Sequence, residues 1–144
     1  MSITLEVAHP IVFTKFDGEQ TLDEVEAYIR RFDEVHARRQ PYVGITWMRR
    51  WKRGPAITER MGRWLKESEA ATRALCLGAG LIATSATFRF ALSAVFLVKP
   101  MVCPYVVCGT FDDALAFVRA QAQRGGLRLP PTVRSPWPEL DALR

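Results

Sequence analysis

Between Ile3 and Arg124, short apolar runs of strand period alternate with longer segments of helical period, and this alternation leaves few folds open. Ile3-Thr4-Leu5-Glu6-Val7 alternates like a strand, and Ile11 to Phe16 reads the same way. His9-Pro10 between them makes a short connection, so the chain opens with an expected β-hairpin. Asp17-Gly18 is expected to end the second strand as a turn, with Asp17 a turn residue. Thr21-Leu22-Asp23-Glu24 then reads as a capping box. The Thr hydroxyl and the Glu carboxylate would satisfy N–H groups that the first helical turn leaves free. Leu22, Val25, Ile29, Phe32 and Val35 follow as the apolar stripe of a helix that ends before Pro41.

The pattern then repeats. Tyr42 to Met48 predicts a strand, and Pro55 suits the first turn of a helix. Ile57, Met61, Trp64, Leu65, Ser68 and Thr72 lie along one face of that helix. Leu75 to Thr84 predicts a strand buried on both sides, with Gly78 and Gly80 leaving room for close packing. Thr84 or Ser85 caps a helix over Ala86 to Val98, and Tyr105 to Cys108 is the last strand. Thr110-Phe111-Asp112-Asp113 resembles a second capping box, and Ala114, Leu115, Val118 and Ala122 form the inner face of the last helix, stopped by Gly125-Gly126. The order β-β-α-β-α-β-α-β-α implies an α/β domain with a mixed, mostly parallel sheet and right-handed crossovers. Residues 1–126 make this domain. Residues 127–144 form a Pro-rich extension, where Pro130, Pro131, Pro136 and Pro138 preclude regular structure except one amphipathic turn near Trp137 to Leu143.

Several pieces in this order resemble the SpoIIAA-like group of the STAS and CRAL-TRIO type, from about Val12 to Ala120. They are Phe16-Asp17-Gly18, Arg39-Gln40-Pro41-Tyr42-Val43, Trp64-Leu65-Lys66, Cys76-Leu77-Gly78, Arg89-Phe90-Ala91-Leu92, Lys99-Pro100-Met101 and Thr110 to Ala116. The resemblance implies a single STAS-like domain that acts as a non-enzymatic interaction module. Anti-sigma antagonists of this group carry a switch Ser, usually in an Asp-Ser pair, at the start of the helix after the third strand. Here that stretch reads Pro55-Ala56-Ile57-Thr58-Glu59-Arg60, with no such pair and Thr58 the nearest hydroxyl. CRAL-TRIO relatives carry lipophilic ligands in a larger domain. The competing expectation is therefore a small lipophile held between the helix over 86–98 and the sheet.

The candidate binding segment is basic. From Arg49 to Lys66 stand seven cations, Arg49, Arg50, Lys52, Arg53, Arg60, Arg63 and Lys66, against one acid, Glu59. Trp51 among them reads as an exposed aromatic. A helix N-terminus attracts anions, and cations ahead of it reinforce the effect. An acidic protein surface, a phosphate-bearing ligand or an anionic lipid headgroup would each fit, with Arg49, Arg50, Trp51, Lys52, Arg53, Thr58, Arg60 and Arg63 as contacts. Nucleic acid is the disfavoured partner, since no recognition motif accompanies a net charge of +5.

The helix over Ala86 to Val98 is apolar all round. Phe88, Ala91, Leu92 and Val95 are expected on the sheet, leaving Phe90, Ala94 and Leu97, near Arg89, for a second copy or a ligand. Cover from Met101, Val102 and the extension is the alternative.

No residue pattern points to chemistry. His9 and His36 have no Cys, Asp or Glu at metal spacing, so neither metal nor cofactor is expected. Asp23, Glu24, Asp112 and Asp113 belong to helix starts. There is no G-x-S-x-G, phosphate loop or G-x-G-x-x-G, and Gly78-Ala79-Gly80 falls inside a strand. Cys76, Cys103 and Cys108 show no C-x-x-C spacing and read as free, structural thiols of a cytoplasmic protein. The first residues lack a signal-peptide layout, and Phe90 to Val98 is too short to span a bilayer.

Overall fold

The computed structural model describes residues 2–143. Its strands are β1 (Ile3–Ala8), β2 (Ile11–Glu19), β3 (Tyr42–Lys52), β4 (Cys76–Ile82) and β5 (Tyr105–Cys108). Its helices are α1 (Leu22–Ala37), α2 (Pro55–Glu67), α3 (Glu69–Leu75), α4 (Ala86–Val98), α5 (Phe111–Arg124) and the short α6 (Pro138–Asp141). The sheet order is β1-β2-β3-β4-β5. β1 pairs antiparallel with β2 as the expected hairpin, and the remaining neighbours pair in parallel.

Each face of this sheet carries its own core. On one face Ile3, Leu5, Val12 and Phe16 pack against Val25, Tyr28 and Ile29 of α1 and Ile57, Met61 and Trp64 of α2. On the other, Ile11, Phe13, Val43, Ile45 and Trp47 meet Phe111, Ala114, Val118 and Ala122 of α5. The glycines of β4 permit this approach. A Cβ on Gly80 would stand 2.8 Å from the Ala114 Cβ, and one on Gly78 would stand 2.8 Å from the Gln121 Cβ.

One helix is too narrow to cover five strands. The C-terminal extension completes the second face, burying Leu129, Val133, Trp137 and Leu140 against it. The Trp137 ring meets Phe13 edge-on at 6.3 Å, and the Lys15 ammonium sits 5.3 Å above it. Three hydrogen bonds fix the path. Phe111 N donates to Leu143 O at 2.9 Å, an Arg119 guanidinium N–H donates to Pro130 O at 2.9 Å, and Ser135 N donates to the Asp141 carboxylate at 3.0 Å.

Four expectations are corrected. The helix after β3 breaks at the buried Ser68 into α2 and α3, and Leu65 is left exposed. Glu24 does not close its capping box on the backbone of Thr21. Thr21 accepts from Glu24 N at 3.3 Å, while the Glu24 carboxylate accepts from Ser2 N, Ser2 Oγ and Ile3 N. The acid therefore fastens the N-terminal strand to α1, and these hydrogen bonds, led by the Ser2 hydroxyl, hold its pKa below the usual range. Asp17-Gly18 is no turn, because β2 runs on to Glu19. α4 also sits differently. Phe88, Leu92 and Phe96 are half-buried, but Ala91 and Val95 are exposed, and no residue of the helix is fully buried.

Candidate functional site

β2 and β3 extend past their expected ends because they keep pairing, with a β-bulge at the point of extension. Asp17 pairs with Arg49, yet Gly18 pairs with Trp51, so Arg50 is the extra residue. Arg50 adopts φ 47 and Gly18 φ 92, both in the left-handed region. In that conformation Arg50 Nε and Nη2 donate to the two Asp17 oxygens at 2.7 and 3.0 Å. These bonds, with the charge of Arg49 nearby, hold the Asp17 carboxyl below its usual range.

The bulge reverses the side-chain alternation. Met48 and Trp51 both face the α1/α2 core, whereas an unbulged strand would send Trp51 to the opposite face. Trp51 is thus half-buried, its ring 4.7 Å from Phe16, rather than exposed as its sequence neighbours suggested. Arg49, Arg50, Trp51 and Lys52 belong to a strand end, not a loop.

Beyond the last pair, Glu19 with Lys52, stand Gln20 and Arg53. Continuing the alternation from Gly18 and Trp51 puts both on the α1/α2 face. Gln20 is only 5% exposed, and both its amide oxygen and nitrogen lack a hydrogen-bond partner. The Arg53 guanidinium stacks 4.0 Å from the Trp51 ring beside the buried Tyr28, and its Nε is also unpartnered. Burial pushes the Arg53 pKa down to about 10, so it stays cationic at neutral pH. Burial likewise raises Tyr28, whose hydroxyl shares a hydrogen bond with Thr14.

Arg53 leads directly into α2. Gly54 is the N-cap without a side-chain cap, Pro55 has no N–H, and the first turn carries no acid. Thr58 is exposed, and its hydroxyl donates to Gly54 O at 3.1 Å. Two strand ends and the α2 N-terminus therefore converge where parallel sheets place their ligands.

The other predicted cations divide. Arg60 forms a bidentate pair with Glu26 of α1, while its Nη1 is buried and unpartnered. Lys52, Arg63 and Lys66 are exposed. An open groove of about 230 Å³ runs between the starts of α1 and α2, lined by Leu22, Glu26, Ala56, Glu59, Arg60 and Arg63. A second hollow of about 680 Å³ lies in the extension, around Thr132, Ser135 and Asp141.

The α4 residues do not form one surface. Arg89 turns inward, its Nη1 donating to Ala83 O at 2.7 Å and Thr84 O at 2.9 Å, so it anchors the helix start. Phe90 is 79% exposed and Leu97 84%, with Ala94 exposed near them.

Gln20 was absent from the sequence reading. A Gln between a strand and a capping Thr looks like a linker residue, and only burial distinguishes it. A second polar chain was equally hidden. His36 Nε2 lies 3.0 Å from the Tyr42 hydroxyl, which reaches Cys76, which in turn bonds Cys103. The Cys103 interaction and burial raise the Cys76 thiol, and all three cysteines are buried and free. Among the described residues no group of three His, Cys, Asp or Glu could hold a metal ion, and no helix is long and apolar enough to cross a membrane.

No protein-family model matches the chain, and no curated protein matches it. Among solved structures, it is similar to the crystal structure of an uncharacterised protein of the DUF3478 family with a SpoIIAA-like fold from Shewanella loihica. The TM-score is 0.63 at 12% identity, over 81% of this chain and 91% of that one. Together with the five-stranded mixed sheet, this match establishes that the chain is a single α/β domain of SpoIIAA-like fold.

Proposed function

We propose that the protein is a non-enzymatic, cytoplasmic regulatory module that docks an acidic protein surface at the carboxyl ends of β2 and β3. The observation that supports this most is the α2 N-terminus. It has neither a side-chain cap nor an acid in its first turn; the exposed cations Arg49, Arg50 and Lys52 precede it at the end of β3, the first two paired with Asp17, and the exposed Arg63 lies farther along α2. The partial positive charge of the helix start and those side chains add in one direction.

Arg50 and Arg53 are poor places to test this. The first holds the bulge and the second packs on Trp51. Lys52 and Arg63 carry charge without such duties. A photo-crosslinking residue introduced at Glu59, between them, is expected to capture one acidic partner in cells. The adduct should vanish in Lys52→Glu/Arg63→Glu with the fold intact. An adduct that survives the double reversal would overturn the reading.

A second reading has its own support. The exposed Phe90, Leu97 and Val98 of α4 favour self-association, because apolar patches of this kind mark interfaces. The lipophile carrier competes with this reading for the same helix. Native mass spectrometry should give a bare dimer that Phe90→Asp/Leu97→Asp converts to a monomer. A wild-type monomer, or a lipid-sized added mass, would count against it.

A further inference from the structure

The most unusual polar groups of the molecule are the ones that sit inside it. Buried amides are normally hydrogen-bonded at both ends, because an unpaired buried polar atom costs about 1–3 kcal/mol. Gln20 leaves both ends unpaired at 5% exposure. It stands one residue beyond the Glu19–Lys52 pair, Arg53 holds the equivalent position after β3, and Arg53 Nε is unpaired too. The next residue, Gly54, opens the 13-residue helix α2, whose first-turn N–H groups on Ala56 and Ile57 have no side-chain cap.

We propose that this is a binding site for a small oxyanion, the carboxylate or phosphoryl group of a metabolite-sized ligand, held by the Gln20 amide, the Arg53 guanidinium and the first-turn N–H groups of α2. Each element has a defined part. Arg53 supplies a charge that Trp51 and Tyr28 hold in place. The α2 terminus supplies aligned N–H donors and a favourable dipole. Gln20 donates through its nitrogen to the oxyanion. Its oxygen remains free to accept from a hydroxyl or amine beside the anionic group, so a bare ion would use only half of the amide. The site is distinct from the docking surface, which uses the exposed Lys52 and Arg63. Occupancy would fix the strand end that carries Lys52 and the start of the helix that carries Arg63, and so make docking depend on the ligand.

The test uses inorganic phosphate and acetate as probes, titrated into the whole protein at constant ionic strength. The Gln20 side-chain amide and the Arg53 Nε–H are followed by NMR, and Tm is measured in parallel. One probe is expected to shift both resonances saturably and raise Tm. Response to phosphate alone assigns a phosphoryl group, and response to acetate alone a carboxylate. Gln20→Leu should raise the Tm of the free protein by removing an unpaired amide, and weaken the probe about tenfold, the loss of one charged hydrogen bond. Arg53→Gln should weaken it at least as much and guards against misfolding of the first variant. Lys52→Glu/Arg63→Glu should keep a saturable Gln20 shift while losing the docking adduct, which separates the two proposals. Neither probe moving Gln20 and Arg53, or shifts confined to Lys52 and Arg63, would overturn the site and leave the amide solvated by water only.

Discussion

Asp17 and Arg50 face each other across a β-bulge, joined by two hydrogen bonds of 2.7 and 3.0 Å, and the bulge sets which way Trp51 points. A non-glycine residue at φ 47 is disfavoured, and the bidentate pair offsets that strain. Arg50→Gly is therefore expected to keep the bulge, since glycine adopts φ above zero freely, and to leave the Trp51 indole resonance near its native position. Arg50→Val is expected to straighten the strand and shift that resonance strongly, because a β-branched residue resists the left-handed region. Equal shifts in both variants would show that the ion pair, not the backbone conformation, holds the bulge.

Gly80 is expected to tolerate no side chain. Its added Cβ would meet the Cβ of Ala114 at 2.8 Å and its Cα at 3.1 Å, and helix backbone cannot yield as a flexible side chain can. Gly80→Ala should destabilise by about 1–3 kcal/mol in urea unfolding. Gly78→Ala should cost less, because the atoms it meets are in the mobile side chain of Gln121.

Trp137 carries the extension. It is buried against Phe13 and Trp47, so Trp137→Ala should lower stability by about 3–5 kcal/mol. Limited proteolysis of the variant is expected to cut between Leu127 and Trp137, where the wild type resists. An unchanged unfolding midpoint would mean that the extension adds nothing to the core.

Stability should fall on the acid side. Burial lowers the His36 pKa below its ordinary 6.5, so the unfolded chain takes up the proton more readily than the folded one. The His36 contribution is complete above about pH 6.5 and is lost as pH falls through the folded value. Asp17 and Glu24, also lowered, add a further loss below their ordinary 3.8 and 4.5. His36→Gln should flatten the first part of this profile while leaving the second. A wild-type midpoint constant from pH 7 to 5 would contradict a buried neutral imidazole.

Most of the architecture was legible because strand and helix periods are local. The stripe of α1, the Thr21 and Ser85 caps, the Pro55 start of α2 and the two packing glycines of β4 each announce themselves within a few residues. The candidate site was legible only as a run of cations. Which of them pair was not, because Arg50 finds Asp17 thirty-three positions away and Arg60 finds Glu26 thirty-four away.

The sequence by itself determined the element order, the parallel crossovers and the basic character of one sheet end, since these follow from hydrophobic period, capping chemistry and charge. Tertiary structure alone decided that a bulge turns Trp51 into the core, that the Pro-rich extension covers a sheet face, and that the Gln20 amide lies buried without a partner. The physical reason is shared. Register between strands and the burial of a polar group depend on partners far along the chain, and no local pattern encodes which partner will arrive.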